Sequence, residues 1–163
     1  THVNAGPTAD QIARFTVLAS ETVRFFGIEP KIAVLSHSNF GSSRHANAKK
    51  MEEAVHLIRQ INPELEVDGE MHADAALSTA MRDALVPDSK LTGQANVLVM
   101  PSLDAANITY NSLRMLGDGV AVGPMLLGMN QPAHVLQESV TARGIVNMTA
   151  LAVAESQSND ENP

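Results

Sequence analysis

The sequence contains no cysteine and no tryptophan, and only one tyrosine and four phenylalanines. Without thiols there is no disulfide framework, no thiolate metal site and no cysteine nucleophile. Aromatic residues at 3% leave almost no stacking platform for single-stranded nucleic acid. Basic residues are scarce too. Eleven Lys+Arg against 18 Asp+Glu give a net charge of −7, the wrong sign for a general duplex-DNA binder. No apolar run approaches the ~20 residues of a membrane span. The longest, Gly119 to Met129, is broken by Gly123, Pro124 and Gly128. The opening Thr1-His2-Val3-Asn4 lacks the basic and apolar regions of a secretion signal. The expectation is a cytoplasmic protein with neither nucleic acid nor membrane as a partner.

What remains is 163 residues, 44% of them apolar, enough for one domain with a sizeable buried core. Thr8 and Gln11 are spaced as a capping box, and Ile12, Phe15, Ala19, Val23 and Phe26 follow at helical spacing up to Gly27. Lys31 to Ser36 reads as a strand whose near-continuous apolar run suits a parallel sheet covered on both faces. A helix is expected from about Arg44 to Gln60, an edge strand over Leu65–Gly69, and one helix from Ala73 to Leu85. Asn96–Met100 is the most strand-like segment, followed by a helix from Asp104 to Leu116. Short strands are expected at Val120–Val122 and Ala133–Leu136, and Thr141 caps a last helix through Ala154. Strands alternating with helices predict an α/β three-layer sandwich with a mainly parallel sheet.

In such a sheet, ligands bind beyond the carboxyl ends of the strands. Two segments sit there. Ser36-His-Ser-Asn-Phe-Gly-Ser-Ser-Arg44 joins a strand to a helix and offers hydroxyls, a glycine and free N–H groups to an anion, with Arg44, Lys49 and Lys50 nearby. Taken by itself it reads first as an ordinary turn with a serine cap and a solvated basic face, since it is no Walker motif. In the second segment, Asp104, Asn107 and Asn111 share a helical face by i, i+3 and i+7 spacing. They line a site, or Asp104 caps the helix and the asparagines pack against a loop. The six histidines show no HxH or HExxH spacing, which argues against a metal site. Asp68, Glu70 and Asp74 form an acidic stretch, read as a solvated strand end rather than a Mg²⁺ site. No GxSxG elbow surrounds Ser36, Ser38 or Ser42.

Longer blocks carry a resemblance. Phe26 to Ser42, Val67-Asp-Gly-Glu to Ala76, Ala95 to Ile108, Val122-Gly-Pro-Met-Leu-Leu-Gly to Pro132 and Val140 to Ala150 resemble, in order, the second half of a phosphate acetyltransferase. Ser36-His-Ser-Asn-Phe-Gly-Ser42 and Ser139-Val-Thr-Ala-Arg-Gly-Ile145 are most similar to the C-terminal phosphotransacetylase-like unit of bacterial hybrid malic enzymes. The resemblance implies an isocitrate/isopropylmalate dehydrogenase-like sandwich, with residues 1–154 as the second subdomain and 155–163 as an acidic polar tail. It also implies that acetyl-CoA binds as an allosteric inhibitor of a distant malate-oxidising site. Gly41, Ser42, Asp104, Asn107, Gly123 and Pro124 match the cleft-lining segments it carries over; Ser38, Asn39 and Asn111 join the candidate binding set from the two local segments, and Arg143 is either a displaced positive charge for the ligand or a helix-start surface residue. Homo-oligomers formed through this half are implied, whereas NADP and Mg or Mn belong to the absent malic enzyme unit.

The departures bear on catalysis. The catalytic Ser-Arg pair of active members falls on Gln137-Glu138, their catalytic Asp on Gly144, and a loop Lys on Phe40. Gly144 has no group to take the CoA thiol proton, and Glu138 repels a phosphoryl anion. The expectation is a unit that binds without turnover. Its alternatives are an active phosphate acetyltransferase (acetyl-CoA and phosphate to acetyl phosphate and CoA) and a purely structural oligomerisation module.

Overall fold

The computed structural model describes residues 4–117, 121–136, 138 and 140–161. The chain divides into a larger unit, Val3–Ile108, and a smaller one, Thr109–Pro163 with Thr1–His2.

In the larger unit, α1 (Ala9–Phe25) opens as the spacing predicts: Thr8 Oγ1 accepts from Gln11 N at 3.3 Å, and Gln11 Oε1 accepts from Thr8 N at 3.0 Å. β1 (Lys31–Leu35) is the middle strand of a parallel sheet ordered β2-β1-β3, between β2 (Glu66–Met71) and β3 (Val97–Val99). Its side chains alternate between two cores. Ile32 and Val34 pack with Ile12, Ala13, Met51, Val55 and Ile58 of α1 and α2 (Ala46–Ile61). Ala33 and Leu35 pack on the other face with Met71, Leu91 and Ala95, and with Ala75 and Ala76 of α3 (Ala73–Leu77). Helices on both faces make three layers, and this is why β1 carries no polar position between Ile32 and Leu35.

Local chemistry moved several boundaries. The single helix expected over 73–85 is two, α3 and α4 (Thr79–Leu85), because Ser78 adopts an extended φ of −125° and its hydroxyl accepts from Met81 N. His45 rather than Arg44 sets the start of α2, its Nδ1 accepting from Asn47 N at 3.3 Å. β2 continues past Gly69, where φ is +136° and a Cβ would lie 2.5 Å from the Val34 carbonyl oxygen, so only glycine fits. Of the acidic stretch only Asp74 is exposed; Asp68 and Glu70 are buried. Asp68 Oδ1 accepts from Arg59 Nη2 (2.8 Å), and Oδ2 accepts from Ser89 Oγ and Lys90 N.

α5 (Leu103–Leu116) crosses the boundary between the units in sequence; Ser102, not Asp104, supplies its cap, Oγ accepting from Ala105 N at 3.3 Å. In the smaller unit, the expected strand at Ala133–Leu136 is absent. A strand needs a backbone partner. This segment is held instead through the His134 side chain, whose Nδ1 accepts from Leu126 N and whose Nε2 lies 3.0 Å from Glu155 Oε2. Of the other expected strand, Val120 lies outside the described residues, and Ala121 and Val122 are not in a strand. α6 (Ala142–Glu161) begins with Thr141 Oγ1 accepting from Gly144 N at 3.1 Å and runs beyond the expected end at Ala154. Among the described residues, no helix is long and apolar enough to cross a membrane.

Candidate functional site

At the carboxyl edge of the sheet, the segment after β1 folds into a loop around one carboxylate. Glu70, 1% exposed at the end of β2, accepts from Ser38 Oγ (2.6 Å) and Gly41 N (2.9 Å) through a single oxygen, Oε1. Its main-chain carbonyl accepts from Phe40 N at 2.7 Å. Phe40 and Gly41 both have positive φ, 47° and 82°, so the loop tip is bent into a turn that Glu70 grips from inside. Ser38 Oγ also lies 3.1 Å from Ser42 Oγ and accepts from Ser43 N. Asn39 Oδ1 accepts from His72 N at 2.7 Å, tying the loop to the start of α3. Glu70 Oε2 is buried and has no hydrogen-bond partner among the described residues.

The four loop residues singled out from sequence are thus brought together, with different roles. Ser38 is buried and spent on the loop itself. Gly41 and Ser42 are exposed and Asn39 half-buried, so these are the groups a ligand can reach. In the same unit, Asp104 is exposed on the first turn of α5 and Asn107 half-buried one turn on. Lys50 projects from α2 to the end of β3, its Nζ donating to the Pro101 carbonyl at 2.7 Å. Burial there lowers its pKa below the ordinary lysine value.

The smaller unit contains a cleft of about 220 Å³. Gly123, Pro124, Thr141 and Gly144 line it together with Tyr110, Arg114 and Asn147. Gly123 and Pro124 therefore fall on a concave surface, as does Gly144, where a Cβ would lie 2.7 Å from Val140 Cγ2. Asn111 is exposed on α5; Arg143 is exposed on the first turn of α6 and is not among the lining residues. Glu138 is exposed, while Gln137 lies outside the described residues. Among the described residues, no group of three or more acidic or histidine side chains is placed to hold a metal ion.

Sequence reasoning missed Glu70, Tyr110, Arg114 and Asn147 as site-forming residues. The helical spacing that joins Asp104, Asn107 and Asn111 reaches Arg114 one turn further on, so the signal was present. Glu70 gave less warning, because a carboxylate at a strand end looks solvated until its neighbours are known.

The chain matches the phosphate acetyl/butaryl transferase family over residues 1–153. It is 54% identical over 158 residues to an NADP-dependent malic enzyme of Salmonella typhimurium, covering 96% of this chain and 21% of the relative. An NAD-dependent malic enzyme of Rhizobium meliloti is 53% identical, with 96% of this chain and 20% of that protein covered. The crystal structure of a phosphotransacetylase from Streptococcus pyogenes superposes with a TM-score of 0.91 at 36% identity, covering 96% of this chain and 47% of that one. The chain thus spans about a fifth of the malic enzymes it resembles and about half of the phosphotransacetylase. The family match, nearly end to end, and the shared parallel α/β sandwich agree: this chain belongs to the phosphate acetyl/butaryl transferase family.

Proposed function

We propose that the chain is the second subdomain of a phosphotransacetylase-like unit, residues 1–154 ahead of an acidic tail at 155–163. The unit binds acetyl-CoA without turning it over and thereby inhibits a malic enzyme of which it is the C-terminal part. The carrying observation is Gly144. To attack acetyl phosphate, the CoA thiol must lose its proton, and the position where active members carry an Asp has no titratable group. The space is closed as well, because any Cβ at Gly144 meets Val140, a side chain stiff at χ1. Losing a general base costs about 10²–10⁴-fold. Glu138, where those members carry Arg, adds repulsion toward the phosphoryl anion.

Binding groups outlast the catalytic ones in this reading. Gly41, Ser42, Asp104 and Asn107 stand at the sheet edge, and Gly123 and Pro124 line the cleft. NADP and Mg or Mn are assigned to the remainder of the parent chain, and no residue here is given to them. Homo-oligomerisation is supported by α5, which has no buried residue and exposes Leu113, Met115 and Leu116, an apolar surface suited to a second copy. An active acetyltransferase is the second reading, favoured by the family match itself.

The test is acetyl-CoA inhibition of malate oxidation in the full-length protein. Asn107→Ala and Arg143→Ala are each expected to raise the half-inhibiting concentration severalfold while leaving uninhibited activity unchanged. Inhibition identical in both variants and the wild type discards these two residues as binding groups. Absence of inhibition in the wild type discards the effector.

A further inference from the structure

Arg44, Lys49 and Lys50 lie close together in sequence and differ sharply in structure. Arg44 and Lys49 are exposed, and Lys49 Nζ is paired with Glu52 Oε2 at 2.6 Å. Lys50 turns inward. It is half-buried, its Nζ is fixed on the Pro101 carbonyl where β3 gives way to α5, and among the described residues no carboxylate lies within ion-pair distance of it. Among the other cations of the larger unit, Arg14 pairs with Asp10, Arg24 with Glu29 and Arg59 with Asp68, Arg82 is held by buried carbonyls, and Lys90 is exposed. Lys31 donates to Thr92 at the opposite end of β1.

A partly desolvated ammonium is costly unless its charge and its donors are answered. Lys50 has three donors and one neutral acceptor, which leaves two donors and the charge without a protein partner among the described residues, at the edge where parallel α/β sheets take their ligands. The Pro101 carbonyl also holds the side chain in one place, so little ordering cost remains when an anion arrives. Gly41 and Ser42 are exposed at the same sheet edge. We propose that Lys50 anchors a phosphate of the CoA-type ligand at the carboxyl edge of the sheet. This assignment rests on the reading of the chain as an acetyl-CoA-binding unit and names the cation that recognises the ligand's phosphates.

The experiment titrates acetyl-CoA into the full-length protein at several sodium chloride concentrations, comparing wild type, Lys50→Met, Lys50→Gln and Lys49→Met. Losing one charge-assisted phosphate contact is expected to raise Kd about tenfold or more in both Lys50 variants. Their affinity should also fall less steeply with salt than that of the wild type, because the lost contact is ionic. Lys49→Met should match the wild type. Lys50→Gln keeps a donor for the Pro101 carbonyl, so it decides the matter if Lys50→Met does not fold. Weaker binding with an unchanged salt dependence would mark Lys50 as a strut between α2 and α5 and overturn the proposal. Wild-type affinity in Lys50→Gln would overturn it while leaving acetyl-CoA binding intact. A wild type that binds no acetyl-CoA would overturn both.

Discussion

Replacing Arg82 with leucine is expected to destabilise the larger unit by about 3–5 kcal/mol. Arg82 is 0% exposed, and its guanidinium faces no carboxylate among the described residues. Nη1 donates to the Ala75 carbonyl at 3.3 Å, and Nη2 donates to those of Leu91 (3.2 Å) and Gly93 (2.6 Å). One side chain thus satisfies the end of α3 and the irregular segment leading into β3. Leucine fills much of the volume but leaves three main-chain oxygens without that donor, two of them in buried contacts. Thermal unfolding followed by circular dichroism should show a midpoint lowered by about 10 °C. Arg82→Lys should fall between the two, since an ammonium cannot reproduce the planar fork. A midpoint within about 1 °C of wild type in Arg82→Leu would mean that the three carbonyls find other donors.

The second large effect is expected at Glu70. Glu70→Ala removes the acceptor of both Ser38 Oγ and Gly41 N, and with it the peg around which the loop turns. The cost to stability is expected to be about 2–4 kcal/mol, because two donors at the loop lose their common acceptor. The local readout is sharper. Hydrogen exchange at the Gly41 amide should accelerate more than tenfold, while the Phe40 amide, bonded to the main-chain carbonyl of Glu70, keeps more of its protection. Glu70→Gln retains a carbonyl oxygen in the right place and should preserve most of the loop. If Glu70→Ala left Gly41 exchange unchanged, the loop would be held by Asn39 and the serine network alone.

How far the fold could be read in advance depended on where its physics is local. The Thr8–Gln11 box fixes the start of α1 within four residues, and the apolar run of β1 declares burial on both faces. Ser78 shows the limit of periodicity, since the helical pattern continues through it while its own hydroxyl stops the helix. The Ala133–Leu136 alternation looked like a strand because pattern cannot say whether a partner strand is at hand, and here His134 fixes the segment through its side chain. The candidate site divides in the same way. Its loop could be named from the sequence because the block that carries it is contiguous. The contacts that hold or complete it could not. Glu70 and the Ser36–Ser43 loop are some thirty residues apart in sequence and meet only because β2 pairs beside β1. Lys50 looked like one of three surface cations until Pro101, 51 positions away, gave it a partner.

The central claim is binding without turnover, and calorimetric titration of acetyl-CoA into the full-length protein in phosphate buffer tests it most directly. The account predicts a saturable heat and acetyl-CoA recovered intact, with no acetyl phosphate formed. Loss of the thioester with release of CoA would contradict it in favour of an active transferase, and the absence of any saturable heat would contradict it in favour of a structural module.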